Sequence, residues 1–151
     1  MGYKRILVPV DGSPTSARGL AEAMKLAQDA RAKLLLLHVV EEYAILGIPD
    51  AGASIGPVLD TLKRAGRSTL EKMERSARRQ GARPETRLIE DFSGRVANAI
   101  VDQAKRWRAQ VIVMGTHGRR GLDRVFLGSD AELVARYSPV PVLLVPARGR
   151  R

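Results

Sequence analysis

The sequence predicts an α/β fold, a single doubly wound domain with a five-stranded parallel sheet and helices on both faces. Three observations lead there. Short, near-continuous apolar runs occur of the kind that strands covered on both sides require. Between them lie segments whose apolar residues recur at helical spacing. The length, 151 residues, gives room for one core rather than two. Strands that alternate with helices run parallel, joined by right-handed crossovers. Apolar residues make up 44% and charged residues 28%, as in chains that fold unaided. A domain of this size buries about 70% of its unfolded surface, enough to dispense with staples. There is no cysteine, which excludes thiol chemistry, zinc ribbons and disulfides and fits a reducing compartment.

Taken in order, Arg5 to Val10 is the first buried strand. Ser13 followed by Pro14 reads as an N-cap with proline at the first helical position, and Ala17, Leu20, Ala21, Met24 and Ala27 mark the helix that follows. Leu34 to Val40 is the second strand. Residues 41–57 contain Gly and Pro without sustained periodicity and read as a loop, the best candidate for a lid. A polar helix is expected from Val58 to Gln80, with Leu59, Leu62, Leu70 and Met73 inward and Gly81 as its stop. Thr86 to Glu90 is a weaker strand. Ser93 is expected to cap the next helix, whose Val96, Ile100, Ala104 and Trp107 share one stripe. Trp107 is read as packing and His38 as a hydrogen-bonded structural residue. Gln110 to Met114 is the fourth strand, 115–128 a loop punctuated by glycine, Ser129 to Tyr137 a short helix, and Val140 to Val145 the fifth strand. The domain spans residues 1–147, and 148–151 form a basic tail.

Lysine and arginine total 26 against 16 acidic residues, leaving +10, and twenty of the 26 are arginine. Such a balance suits anionic partners. The cations are spread along the chain, however, and aromatic residues are only 4%, so nucleic acid is not the expected partner. Apolar runs such as Leu34–Leu37 are far too short to span a bilayer, and no signal-peptide pattern opens the chain. The expected location is the cytoplasm.

In an open parallel sheet a ligand sits beyond the carboxyl ends of the strands, where the strand order reverses. The first strand brings Pro9, Val10 and Asp11 to that edge, the second Val39, and the fourth Met114 and Gly115. Gly115, two residues, Gly118, nine residues and Gly128-Ser129 place two small-residue backbones ahead of a helix, where amides can face a phosphate. Arg119, Arg120 and Arg124 lie in the nine-residue spacer, and Asp130 follows Ser129 with a charge that opposes an anion.

That spacing resembles the nucleotide-binding signature of the universal stress protein family. Ile6 to Ser13, Leu36 to Val39 and Pro139 to Val145 are also similar to family segments, so the resemblance covers the entire chain. It implies a Rossmann-like fold of the adenine nucleotide alpha hydrolase type, a homodimer joined through the C-terminal strand, and bound ATP. By the same resemblance Asp11 lies near the ribose or binds Mg²⁺ with the phosphates, and Pro9 and Val10 shape the first turn. Val39 and Met114 flank the adenine, while Gly115, Gly118, Gly128 and Ser129 hold the phosphates; apart from the resemblance, Arg119 in the spacer is counted with the nucleotide-binding residues for its reach toward the phosphates, a solvated loop arginine being the alternative. The chemistry agrees: small residues admit a phosphate to the backbone, apolar side chains make a dry slot for a ring, and a carboxylate suits ribose hydroxyls or Mg²⁺.

Neither GxxxxGK[ST] nor GxGxxG occurs. No catalytic residue is assigned, because phosphoryl transfer needs a positioned nucleophile and charge stabilisation in addition to a metal ligand. The expectation is therefore a nucleotide-dependent stress-response switch with little or no turnover, acting on an unknown protein partner. The alternatives are a nucleotide-free dimeric interaction module and a slow ATPase.

Overall fold

In a computed structural model that describes residues 2–46, 55–117 and 127–147, the chain runs β1 (Arg5–Pro9), α1 (Pro14–Ala30), β2 (Lys33–Glu41), α2 (Tyr43–Leu46), α3 (Ile55–Arg79), β3 (Glu85–Asp91), α4 (Val96–Arg106), β4 (Val111–Gly115), α5 (Ser129–Tyr137) and β5 (Val142–Val145). All strand pairs are parallel, and the order across the sheet is β3-β2-β1-β4-β5. The chain builds outward from β1 to β3, then returns and builds the other way from β4. The direction reverses between β1 and β4.

Alternate residues of each strand feed opposite faces, and both faces are covered, which is why the strand sequences are apolar throughout. Ile6, Val8, Leu34, Leu36, Val111 and Val113 pack with Leu20, Ala23 and Met24 of α1 and Leu70, Met73 and Ala77 of α3. On the other face Leu7, Leu35, Leu37 and Ile112 pack with Ala97, Ile100 and Ala104 of α4 and Ala131 and Val134 of α5. Complete burial of one such leucine contributes about 2 kcal/mol. No described helix is long and apolar enough to cross a membrane.

Several expectations need correction. The 41–57 segment is not one loop: β2 continues to Glu41, α2 occupies Tyr43–Leu46, and α3 begins at Ile55. Pro57 and Gly56 fall in the first turn of α3, where proline's missing N–H has no intrahelical acceptor to lose; the remaining residues, 47–54, lie outside the described part. Leu62 is exposed rather than inward, because α3 buries residues only from Gly66 to Ala77. Ser93 does not cap α4. Its hydroxyl donates to Asp91 Oδ1 at 2.6 Å, and the N-cap is Arg95, without a side-chain hydrogen bond. Val140 and Pro141 stand outside β5, whose first residue is Val142.

Two helices end on a residue that is rarely left-handed. Arg31 after α1 has φ +50° and Arg108 after α4 has φ +55°, a conformation that costs a non-glycine residue about 1 kcal/mol. The end of α3 uses Gly81 at φ +86° instead, as the sequence led one to expect. Trp107 is buried, donates from Nε1 to Glu85 at 3.3 Å and carries the Arg5 guanidinium 4.4 Å from its ring centroid, in keeping with a packing role.

Candidate functional site

The strand order reverses between β1 and β4, and in an open parallel sheet the carboxyl edge at that point is where a ligand mouth is expected. Pro9 ends β1, and Val10 is fixed beyond it by an N–H bond to the Leu37 carbonyl at 2.8 Å. His38 is buried and donates from Nδ1 to the Val10 carbonyl at 2.8 Å, so its role is to hold this strand end. Gly66 of α3 lies so close that a Cβ there would stand 2.7 Å from the His38 ring. Asp11 is half-buried. Its Oδ1 accepts the Ser13 N–H at 2.8 Å, closing an Asx turn through Gly12 at φ +81°. Ser13 then caps α1 by accepting the Ser16 N–H at 3.1 Å.

At the end of β4, Met114 and Gly115 are buried. Met114 belongs to the core cluster under α4 and α5, and Val39 packs against the same cluster. Gly115 is required by packing: a Cβ would meet Thr15 Cγ2 at 2.6 Å and the Thr15 carbonyl at 3.0 Å. The first turn of α1 therefore rests directly on β4. Thr116 continues from β4, tied by its N–H to the Val145 carbonyl of β5 at 3.0 Å. Its own carbonyl accepts the Gly128 N–H at 2.8 Å, which brings the N-cap of α5 back to the strand it left. A Cβ on Gly128 would sit 3.0 Å from that carbonyl. Ser129, exposed, opens α5. The first turn of a helix has N–H groups without intrahelical acceptors and a positive dipole end; here Asp130 and Glu132 sit in that turn and compete with an anion for it.

Thus the fold gathers Pro9, Val10, Asp11, Met114, Gly115, Gly128 and Ser129 around one mouth. Val39 stands on β2, the strand beside β1. Gly118, Arg119, Arg120 and Arg124 lie outside the described residues. Thr15 and Thr116 escaped the sequence reading. Thr116 was signalled by its place between two glycines of the motif; nothing in the sequence pointed to Thr15. His117 is half-buried, with Nδ1 2.8 Å from the Thr116 hydroxyl. Among the described residues no group of three or more His, Asp or Glu is arranged to hold a metal.

A second set of charged groups lies at the ends of β2 and β3. Glu42 is 3% exposed, and neither of its carboxyl oxygens has a hydrogen-bond partner among the described residues. Burial, and then the Glu90 carboxylate beside it, hold the Glu42 carboxyl above its usual range. Glu90 is pushed the other way, chiefly by its bond to Lys63 at 2.6 Å, and the same bond raises Lys63.

The sequence profile of the universal stress protein family matches residues 2–146. The chain belongs to that family. This universal stress protein is 36% identical over 143 residues to universal stress protein MJ0531 of Methanocaldococcus jannaschii, a match spanning 95% of this chain and 82% of that one. Its fold is similar to that of universal stress protein UspA from Lactobacillus plantarum, with a TM-score of 0.83 and 25% identity over 96% of this chain and 99% of that one. It is also similar to a universal stress protein from Archaeoglobus fulgidus solved in complex with dAMP, with a TM-score of 0.71 and 25% identity over 96% of this chain and 99% of that one. The five-stranded all-parallel, doubly wound architecture is that of universal stress proteins of known structure.

Proposed function

We propose that this universal stress protein binds ATP at the β1/β4 mouth and works as a nucleotide-dependent switch with little or no turnover. The observation that carries the reading is the return of α5 to β4: the Gly128 N–H bonds to the Thr116 carbonyl and sets a glycine-serine helix start beside the end of β4, where phosphates are favoured. The Archaeoglobus fulgidus relative, solved with dAMP, supports an adenine nucleotide as the ligand. In this reading Val39 and Met114 flank the adenine, Pro9 and Val10 shape the turn beneath it, and Gly115, Gly118, Arg119, Gly128 and Ser129 surround the phosphates. Asp11 keeps Oδ1 on the Ser13 N–H. It would supply one carboxylate to the ribose or to Mg²⁺, and the nucleotide phosphates most of the other ligands, the usual arrangement for a cation that keeps few protein donors. When bound, Mg²⁺ offsets phosphate charge. Ligand-dependent ordering of the 41–57 and 119–127 segments would signal to a protein partner in the cytoplasm; residues 47–54 of the first and 119–126 of the second lie outside the described residues.

The homodimer would form through β5, an edge strand of four residues with Leu143 41% exposed. A second reading, a dimeric interaction module that holds no nucleotide, is favoured by two facts. Packing against Thr15 accounts for Gly115, and the Asx turn gives Asp11 a structural use. Calorimetry with ATP and Mg²⁺, together with mass spectrometry of what the denatured protein releases, decides between them. Heat of binding that Gly118→Val abolishes is the expected result. No binding heat and no released adenine nucleotide leave the second reading standing.

A further inference from the structure

All four long helices run antiparallel to the strands, so their carboxyl ends meet the amino ends of the strands at the edge opposite the mouth. The topology collects cations there that the sequence scatters. Arg31 follows α1 and Lys33 opens β2, Arg79 ends α3 and Arg83 precedes β3, and Lys105 and Arg106 end α4 with Arg108 between it and β4. All seven are exposed, and none forms an ion pair among the described residues. Lys4 and Arg78 stand at the same edge, engaged with the Ala30 carbonyl and with Glu74. The acids at the ends of these elements are Asp29 and Glu85, and Glu85 accepts the Trp107 N–H.

Attraction between cations and helix carboxyl ends favours part of this placement. It does not account for Arg31 and Arg108, which occupy left-handed positions where glycine is the easier residue. At both sites the backbone is strained and the side chain presented to solvent is a guanidinium, and an observed strain of this kind points to a use. We propose that this amino-terminal edge docks the phosphate backbone of a double-stranded nucleic acid, independently of base sequence. Five strands spaced about 4.8 Å apart make an edge of roughly 20 Å, along which a duplex carries a charge about every 1.7 Å of its axis. Arginine, which supplies five of the seven unpaired cations, grips phosphate with a planar fork. Among the described residues, the aromatic rings exposed at this edge are Tyr3 and Tyr137, too few to stack a single strand and too little apolar surface to anchor in a bilayer.

Fluorescence anisotropy with a labelled 20-base-pair DNA duplex, titrated at several salt concentrations, tests the assignment. The expected result is binding whose logarithm falls with the logarithm of salt at a slope of about −4, as for a handful of phosphate contacts. Arg31→Gly/Arg108→Gly should weaken binding at least tenfold and flatten the slope by about 2, while the thermal midpoint holds or rises because glycine suits both positions. Arg64→Ala/Arg95→Ala removes the same charge from elsewhere and should change affinity less than twofold. Equal weakening by the two variants would reduce the effect to net charge and overturn the proposal. So would failure to bind the duplex, or equal affinity for polyglutamate or for vesicles containing phosphatidylserine. The basic edge lies opposite the β1/β4 mouth, and the titrations are run without ATP, so their outcome does not depend on nucleotide binding.

Discussion

β1 leads into Asp11-Gly12-Ser13 and β3 ends in Asp91-Phe92-Ser93, and the two turns are built alike. In each, the aspartate Oδ1 accepts the N–H of the serine two residues on, at 2.8 Å for Asp11 and 3.1 Å for Asp91. Their surroundings differ. Asp11 is half-buried beside β4 at the reversal of strand order, whereas Asp91 is buried at the end of an edge strand, with Oδ2 lacking a hydrogen-bond partner and the Glu42 carboxyl nearby. The aspartate turn is thus a way to leave a strand, common to the central β1 and the edge strand β3. What singles out the first copy is its place in the topology, next to β4 and the returning end of α5.

The comparison can be broken most strongly at the glycines. Gly115→Val would drive a side chain into Thr15, and we expect a loss of about 3 kcal/mol in urea denaturation, at the upper end of overpacking effects. At the β3 turn, Gly94 has φ +77° and lies under the Tyr43 ring; Gly94→Ala should cost about 1 kcal/mol, mainly for its left-handed backbone. Equal stability of Gly115→Val and wild type would show that close approach of α1 to β4 is not what this glycine serves.

A smaller change sharpens the contrast between the two carboxylates. Asparagine keeps the turn-closing oxygen, so Asp11→Asn should leave stability within about 0.5 kcal/mol while weakening Mg·ATP binding at least tenfold, about 1.4 kcal/mol. Asp91→Asn should leave nucleotide affinity unchanged. If both variants bind ATP like the wild type, the carboxylate of Asp11 serves only the fold.

The smallest effect concerns pH. Because the folded protein holds the Glu42 carboxyl above its usual range, its protonated form favours the native state. Stability from this group is complete in acid and is lost as the pH rises through the folded-state titration. Glu42→Gln, which stays neutral, should match wild type near pH 4 and exceed it by about 1 kcal/mol at pH 8, the cost of a buried charge set beside the Glu90 carboxylate. Glu90 acts in the opposite sense: its lowered titration contributes stability at neutral pH that acid removes. Identical pH profiles for Glu42→Gln and wild type would refute the role of burial at this position.

The fold was legible because apolar continuity in Ile6–Val10, Leu34–Val40 and Val111–Met114 admits little besides strands covered on both faces. Boundaries were less legible where a local rule met a competitor. Gly56-Pro57 reads as a loop but sits in a first helical turn, and Ser93 reads as a cap but is captured by Asp91. Of the mouth, Asp11, Met114, Gly115, Gly128 and Ser129 were placed by the strand ends and the glycine spacing. The contact of Thr15 with Gly115 was invisible, since no local pattern records which helix will lie over a given strand. The Glu42–Glu90–Lys63 group and the basic edge were hidden for the same reason: their members are far apart in the chain and become neighbours only through the crossovers.

The bond between Gly128 and Thr116 has an evolutionary corollary. Both ends of the stretch between them are pinned to the framework, one through β5 and the other through the start of α5. Residues inserted or removed within that span need not disturb the sheet, and each doubling of its length adds only about 0.6 kcal/mol of closure entropy. The sheet and the start of α5 thus hold their relation to each other whatever the length of the chain they bracket.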